Sequence, residues 1–179
     1  MQIDVYKRQV PYKSFAAFIT IGKVFHSAHT PAGCPLYTSF IDQAVHAQID
    51  RDLLCANLQP RCEVPEDIPP QLDFFDAVLP IDAEMYRNKK QKTTPESAKE
   101  ALSALLPVLE AQTDWSRDAI FEACKQKAEA MEKKNGWLLF PLGIALSGKA
   151  RTPGGGTDLA AMMGKEETLR RLNAAIEAL

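Results

Sequence analysis

The chain has 179 residues, 46% of them hydrophobic and 25% charged, with 21 lysines and arginines against 23 aspartates and glutamates. That length suits one ordinary domain or two small ones. The net charge of -2 demands no nucleic-acid partner, although a balanced total can hide local basic patches. No run reaches the roughly 18 apolar residues of a membrane span, and MQIDVYKRQV lacks the apolar core of a signal peptide, so a cytoplasmic chain with no membrane association is expected.

Residues 1–39 show no clear architecture. YKSFAAFITIGKVF fits a buried strand or a short helix equally, and HTPAGCPLYTS reads as turn and coil because Pro31, Gly33 and Pro35 punctuate it. From Phe40 the spacing of Ile41, Ala44, Val45, Ile49, Leu53 and Leu54 predicts a helix with one buried face, which the prolines at 60, 65, 69 and 70 end. LDFFDAVLPIDAEMY is apolar enough for one or two short helices.

Arg87, Lys89, Lys90 and Lys92 then cluster with no acid between them. Thr94-Pro95 opens a helix, with the hydroxyl as N-cap and proline at the first helical position. Leu102, Leu105, Leu106 and Leu109 line its inner face, and Pro107 predicts a kink or an early stop. Ser116 caps a second long helix packed through Ile120, Ala123, Cys124, Met131 and the stem of Lys127. Its end is expected at Asn135-Gly136, behind Lys133 and Lys134. WLLFPLGIALSG is apolar throughout and is expected at the centre of the core. Thr157 caps a short helix that Gly164 ends, and KEETLRRLNAAIEAL makes the last, with Leu169, Leu172, Ile176 and Leu179 inward. The expectation is an all-α fold of two small helical subdomains, 40–90 and 91–179, after an unassigned segment 1–39, with the break around residues 80–95.

Most catalytic chemistry lacks its residues. Cys34, Cys55, Cys62 and Cys124 show no metal-ligand spacing and read as free thiols, and no second cluster joins His26 and His29 to make a metal site. The carboxylates Glu63, Glu66 and Asp67 read as charged turns, and no histidine follows His46 to serve as a base. Gly143-x-x-x-x-Gly148-Lys149 falls one residue short of a P-loop, because Ala150 stands where a hydroxyl should hold Mg²⁺. Pro141 also suits a P-loop's central strand poorly, so Gly143, Gly148 and Gly154 to Gly156 read as packing and turn positions. The remaining polar features are basic: Arg61 in a proline-bounded turn, the Arg87 to Lys92 cluster, and Lys149-Ala150-Arg151. Each suits either a solvated face or contacts to bases and phosphates, and composition alone does not choose.

Several segments occur in a fixed order: Leu58-Gln59-Pro60-Arg61, IPPQLDFF, LPIDAEMYRNKKQKT, Asp114-Trp115, KKNGWLLFPLGIALSGKARTPGGG and MMGKEETLRRL. From about Phe40 to Leu179 the chain resembles the anticodon-binding region of bacterial glutamyl-tRNA synthetases. The resemblance implies an all-helical module of two small subdomains that binds the anticodon of tRNA(Glu). It follows a class I catalytic domain in which ATP, Mg²⁺, glutamate and the acceptor end are bound. It assigns Arg61 to the third anticodon base and Thr152 and Pro153 to a second reading cluster. Gly143 occupies the position of that cluster's arginine, so that either affinity is reduced at one of the first two anticodon bases or Lys149 or Arg151 compensates, and reduced affinity is the expectation.

No HIGH-like or KMSKS-like motif is present, so aminoacylation by this chain alone is not expected. Residues 1–39 do not share the resemblance, and the chain reads as a monomeric fragment with a foreign or disordered start, with no cofactor of its own and no affinity for DNA. Gly143 and the negative net charge also suit a helical protein-interaction module that has lost RNA binding, and Gly143 to Lys149 a small nucleotide-binding enzyme.

Overall fold

The computed structural model describes residues 41–42, 44–58, 68–77 and 79–179. After the helical residues 41, 42 and 44, seven helices follow in order among the described residues: α1 Arg51–Leu58, α2 Asp73–Asp76, α3 Pro95–Ala111, α4 Arg117–Ala130, α5 Asn135–Ser147, α6 Gly156–Met163 and α7 Lys165–Ala178. Two 3₁₀ turns, Pro69–Gln71 and Ala83–Tyr86, complete the set, and the described residues contain no strand beyond a single bridge between Asn88 and Thr93. The all-α expectation holds for these residues. None of their helices is long and apolar enough to cross a membrane.

Helix α5 is the axis of the molecule. Its sequence, NGWLLFPLGIALS, has apolar residues on every side, the pattern of a helix surrounded by protein. Helices α3, α4, α6 and α7 all pack against it, and Leu138, Leu142, Ile144 and Leu146 are fully buried. Pro141 sits inside this helix, which confirms that the segment is no strand.

Local chemistry sets two of the helix starts as expected. Thr94 and Ser97 exchange hydrogen bonds, Ser97 N to Thr94 Oγ1 at 3.3 Å and Thr94 N to Ser97 Oγ at 2.8 Å, with Pro95 first in α3. At α4, Ser116 Oγ accepts from Ala119 N at 3.4 Å.

Four boundaries differ from expectation. The helix expected from Phe40 through Leu54 is broken at residues 45–50. The Asp76 carboxylate accepts the backbone N–H groups of His46 and Ala47, Asp50 N donates to Met162 O, and Asp50 Oδ1 restarts the chain as α1 by accepting from Leu53 N. Burial pushes the Asp76 carboxyl up, but the His46 side chain and the two N–H groups outweigh it and hold it below the usual range. Pro107 neither stops nor ends α3, which runs on to Ala111. The carbonyl it leaves without a helical donor is that of Ser103, an exposed residue.

Helix α4 ends at Ala130 and not at Asn135-Gly136. Glu132 takes the left-handed conformation (φ +55), with Lys133 N donating to Ala128 O and Glu132 N to Glu129 O, a Schellman closure made without glycine. Asn135 and Gly136 instead begin α5. Finally, Gly155 and not Thr157 precedes α6, because Asp158 Oδ2 accepts from Gly155 N at 2.7 Å.

Arg171 was hidden among apolar neighbours in the last helix. It is 2% exposed. Its guanidinium donates to Phe74 O and Leu146 O at 2.7 Å each, to Phe75 O at 3.0 Å and to Glu167 Oε1 at 2.6 Å. The same Glu167 also receives Arg170, which, more than Arg171, holds its carboxyl below the usual range against the opposing effect of burial. Replacing Arg171 by Met would keep the stem and strand three buried carbonyls beside a carboxylate. Arg171→Met is expected to cost about 3–5 kcal/mol of stability, read as a fall in the urea midpoint, whereas Arg170→Met at an exposed position should cost below about 1 kcal/mol.

Candidate functional site

The glycine-rich segment leaves the C-terminal end of α5 and returns to its flank. Gly148 ends the helix in the left-handed conformation (φ +65), its N–H bonded to Ile144 O at 2.7 Å, with Leu79 packed where a side chain would be. Ser147 Oγ donates to Gly143 O and accepts from Lys149 N, which stiffens the turn. The Lys149 ammonium then crosses to the segment before α2, where it donates to Pro70 O at 2.6 Å and pairs with Asp73 above the Phe74 ring.

Beyond Lys149 the loop is closed by its own contacts. Thr152 Oγ1 donates to Gly154 O, and Pro153 is buried. Asp158 holds Gly155 N and pairs with Arg117 of α4. Gly156 lies directly on α5: a β-carbon there would stand 2.8 Å from Leu139 O and 3.0 Å from Gly143 N. The loop therefore begins and ends on one helix, five residues apart at Gly148 and Gly143. Arg151 is exposed on it and enters no ion pair among the described residues.

This geometry sorts the residues singled out by sequence. Gly143 meets Gly156 at the base of the loop, and Arg151, Thr152 and Pro153 lie on the loop between Gly148 and Gly156. Lys149 is bound to Asp73, so it fastens the loop instead of facing solvent. Arg61 lies outside the described residues, as do His26, His29, Cys34, Cys62, Glu63, Glu66 and Asp67. Cys55 and Cys124 are buried, and burial pushes the Cys124 thiol up to about 12. The N–H groups from Ile144 to Ser147 lie within α5, so no phosphate cradle exists at Gly143 to Lys149 and the P-loop reading fails. Arg87 sits apart from the loop and makes a two-pronged pair with Glu84, at 2.8 and 3.0 Å, while Lys89, Lys90 and Lys92 are exposed. Arg171, Asp158 and Asp73, which hold the loop and its supports, were not identified from sequence. Only the Glu167-to-Arg171 spacing of four offered a hint, and it equally describes a surface pair.

A family model described as the anticodon binding domain matches residues 26–176. The chain belongs to this family. The match begins inside the segment 1–39 that its sequence left unassigned. The domain is 41% identical over 140 residues to a glutamate–tRNA ligase of Clostridium botulinum, covering 78% of this chain and 29% of that protein. It is 41% identical over 132 residues to the glutamate–tRNA ligase of Clostridium tetani, covering 73% of this chain and 27% of that one. The chain thus spans about three tenths of the length of these relatives.

Among solved structures, a glutamate–tRNA ligase from Elizabethkingia meningosepticum superposes with a TM-score of 0.72 at 25% identity, over 88% of this chain and 31% of that one. A glutamate–tRNA synthetase from Elizabethkingia anophelis shares the fold, with a TM-score of 0.64 at 22% identity, over 94% of this chain and 32% of that one.

The two glycines that meet at the loop base respond differently to a side chain. A β-carbon on Gly143 would meet Gly156 at an ordinary 3.8 Å, whereas one on Gly156 runs into backbone. Gly143→Ala is expected to raise stability by about 0.5–1 kcal/mol, as for other helix-interior glycines. Gly156→Ala should lower it by about 1–3 kcal/mol. Thermal melts of the two variants compare them directly.

Proposed function

We propose that this chain binds the anticodon arm of tRNA(Glu) as part of a glutamate–tRNA ligase, in the cytoplasm and as a monomer. The attachment of glutamate, with its ATP and Mg²⁺, would belong to portions of the parent protein that this chain does not contain. The observation that carries the reading is a loop clamped at both ends, with an unpaired arginine exposed on it, in a chain whose relatives are named glutamate–tRNA ligases.

The chemistry follows from the donors available. Arg151 offers a planar fork that suits the edge of an unstacked base, and the buried Pro153 and the bonded Thr152 limit how far the loop can yield. A pre-formed loop loses less entropy on binding than a mobile one. Gly143 offers no side-chain donor, and Lys149 is engaged by Asp73. Recognition is therefore assigned chiefly to Arg61 and Arg151, with Thr152 and Pro153 shaping the pocket.

Titration of tRNA(Glu) carrying UUC or CUC against an unrelated tRNA at fixed salt tests the reading, and equal affinity for both would overturn it. Arg61→Ala is expected to weaken cognate binding by about 1–3 kcal/mol and to relax preference at the third anticodon base. A uniform loss across all bases with a lower salt slope would assign Arg61 to a phosphate instead.

Gly143 lacks the positive φ that would forbid a side chain, and a β-carbon there would touch the Gly156 backbone at an ordinary 3.8 Å. Gly143→Arg is accordingly expected to strengthen tRNA(Glu) binding by about 1–3 kcal/mol and to sharpen discrimination at the first or second anticodon base. Competition against tRNAs altered at each of those bases measures it. Unchanged discrimination in a folded variant would show that position 143 does not face the bases.

A further inference from the structure

Two lysine-bearing segments more than forty positions apart in sequence meet, through Gln91 and Gly136, at the end of α5 opposite the glycine loop. The first group rides on a turn with a fixed shape. Asn88 and Thr93 exchange backbone hydrogen bonds at 3.0 and 3.1 Å, and the Asn88 side chain accepts from Lys90 N and Gln91 N. Thr93 Oγ1 fastens the turn to Tyr86 O at 2.7 Å. Lys92 is held at φ +55, a conformation that disfavours a side chain of its kind.

Gln91, between Lys90 and Lys92, lies on Gly136 so closely that a β-carbon there would stand 2.0 Å from its Oε1. That contact sets the turn against the first residues of α5, beside Lys133 and Lys134. All five lysines, 89, 90, 92, 133 and 134, are exposed, and none forms an ion pair among the described residues. Arg87 is not a member, since Glu84 occupies it. Lys133 does lie 5.4 Å from the Trp137 ring, a contact that leaves its charge unneutralised.

The dipole of α5 opposes the nearest of these charges. The first turn of α5 carries no acid and no side-chain cap, and Lys133 and Lys134 sit at the positive end of its dipole. Helix α5 spans 13 residues, about 20 Å, between this patch and the loop at Gly148. We infer that Lys89, Lys90, Lys92, Lys133 and Lys134 form one phosphate-binding surface for the RNA stem below the anticodon, one helix length from the loop that receives the bases. Lysine is a point charge without the planar fork that reads bases, so the surface would supply affinity and orientation but not sequence preference. The inference rests on the proposed binding of tRNA(Glu).

The test is salt-dependent binding of tRNA(Glu) to the 179-residue chain carrying Lys89→Gln with Lys90→Gln, Lys133→Gln with Lys134→Gln, or all four. Each pair is expected to lower the slope of log K against log salt by about one to two, and the fourfold variant by about three or more. The preference for tRNA(Glu) over a tRNA with a changed anticodon should stay the same. The melting temperature should change little, because the charges removed oppose the α5 dipole while Lys133 also faces the Trp137 ring.

A slope lowered by the 89/90 pair alone would overturn the joined surface. An unchanged slope in all variants would overturn phosphate binding here and leave the patch to an acidic protein partner. A changed anticodon preference would overturn the division between stem and base contacts. Absence of tRNA(Glu) preference in the unsubstituted chain would instead overturn the proposed function, whatever the slopes.

Discussion

A buried guanidinium must satisfy its donors inside the protein, because no water is at hand to replace a missing partner. Arg171 does so by taking oxygen acceptors from three separate places: the carbonyls of Phe74 and Phe75, the carbonyl of Leu146 in the last turn of α5, and the Glu167 carboxylate one turn back on its own helix. Leu146 O is one of the carbonyls a helix leaves unbonded at its end, where a positive charge is also favoured by the helix dipole. One side chain thereby closes the end of the central helix and fixes the Phe74–Phe75 turn against it. Everything proposed for the glycine loop depends on that junction.

The loop starts at the residue after the helix end that Arg171 closes, and its first cation reaches the turn that Arg171 positions. Lys149 pairs with Asp73, one residue before Phe74. Two cations, one buried and one a quarter exposed, thus join the same pair of elements from opposite directions. The far side of the loop is held differently, by the packing of Gly156 on α5 and by Asp158, which serves both Gly155 N and Arg117. A loop restrained at both ends can present Arg151 in a narrow range of positions, which is what a reader of one base edge requires. Helix α5 then relates the two basic features of the surface, with the loop at one end and the lysine patch at the other.

The parts of the fold legible in the sequence are those decided within a few residues. The Thr94-Pro95 start of α3 and the Ser116 start of α4 are local hydrogen bonds, and an all-apolar segment such as WLLFPLGIALS has nowhere to go but the interior. The boundaries that departed from expectation are those with distant partners or with solvent in reserve. Residues 45–50 leave the helical pattern because Asp76 and Met162 take their N–H groups. Helix α3 continues past Pro107, and the carbonyl that the proline deprives belongs to the exposed Ser103. Glu132 holds a left-handed turn two carbonyls deep, although a glycine stood four residues on, because the lysine after it completes the Schellman closure.

By itself the sequence determined the helical class, through residue spacing and caps, and the family, through segments repeated in a fixed order. Both are properties that survive without knowledge of what touches what. The tertiary structure decided which cations are available. Lys149 looks as free in the sequence as Arg151 and Lys90, yet Asp73, distant in sequence, holds it. Arg171 follows Arg170 directly, and both reach Glu167, yet only Arg171 is buried. Adjacent residues on a helix point about 100° apart, so one turns inward while the other stays in water. Whether a charge is a fastener or a reader depends on the acceptors brought beside it, and only folding brings them.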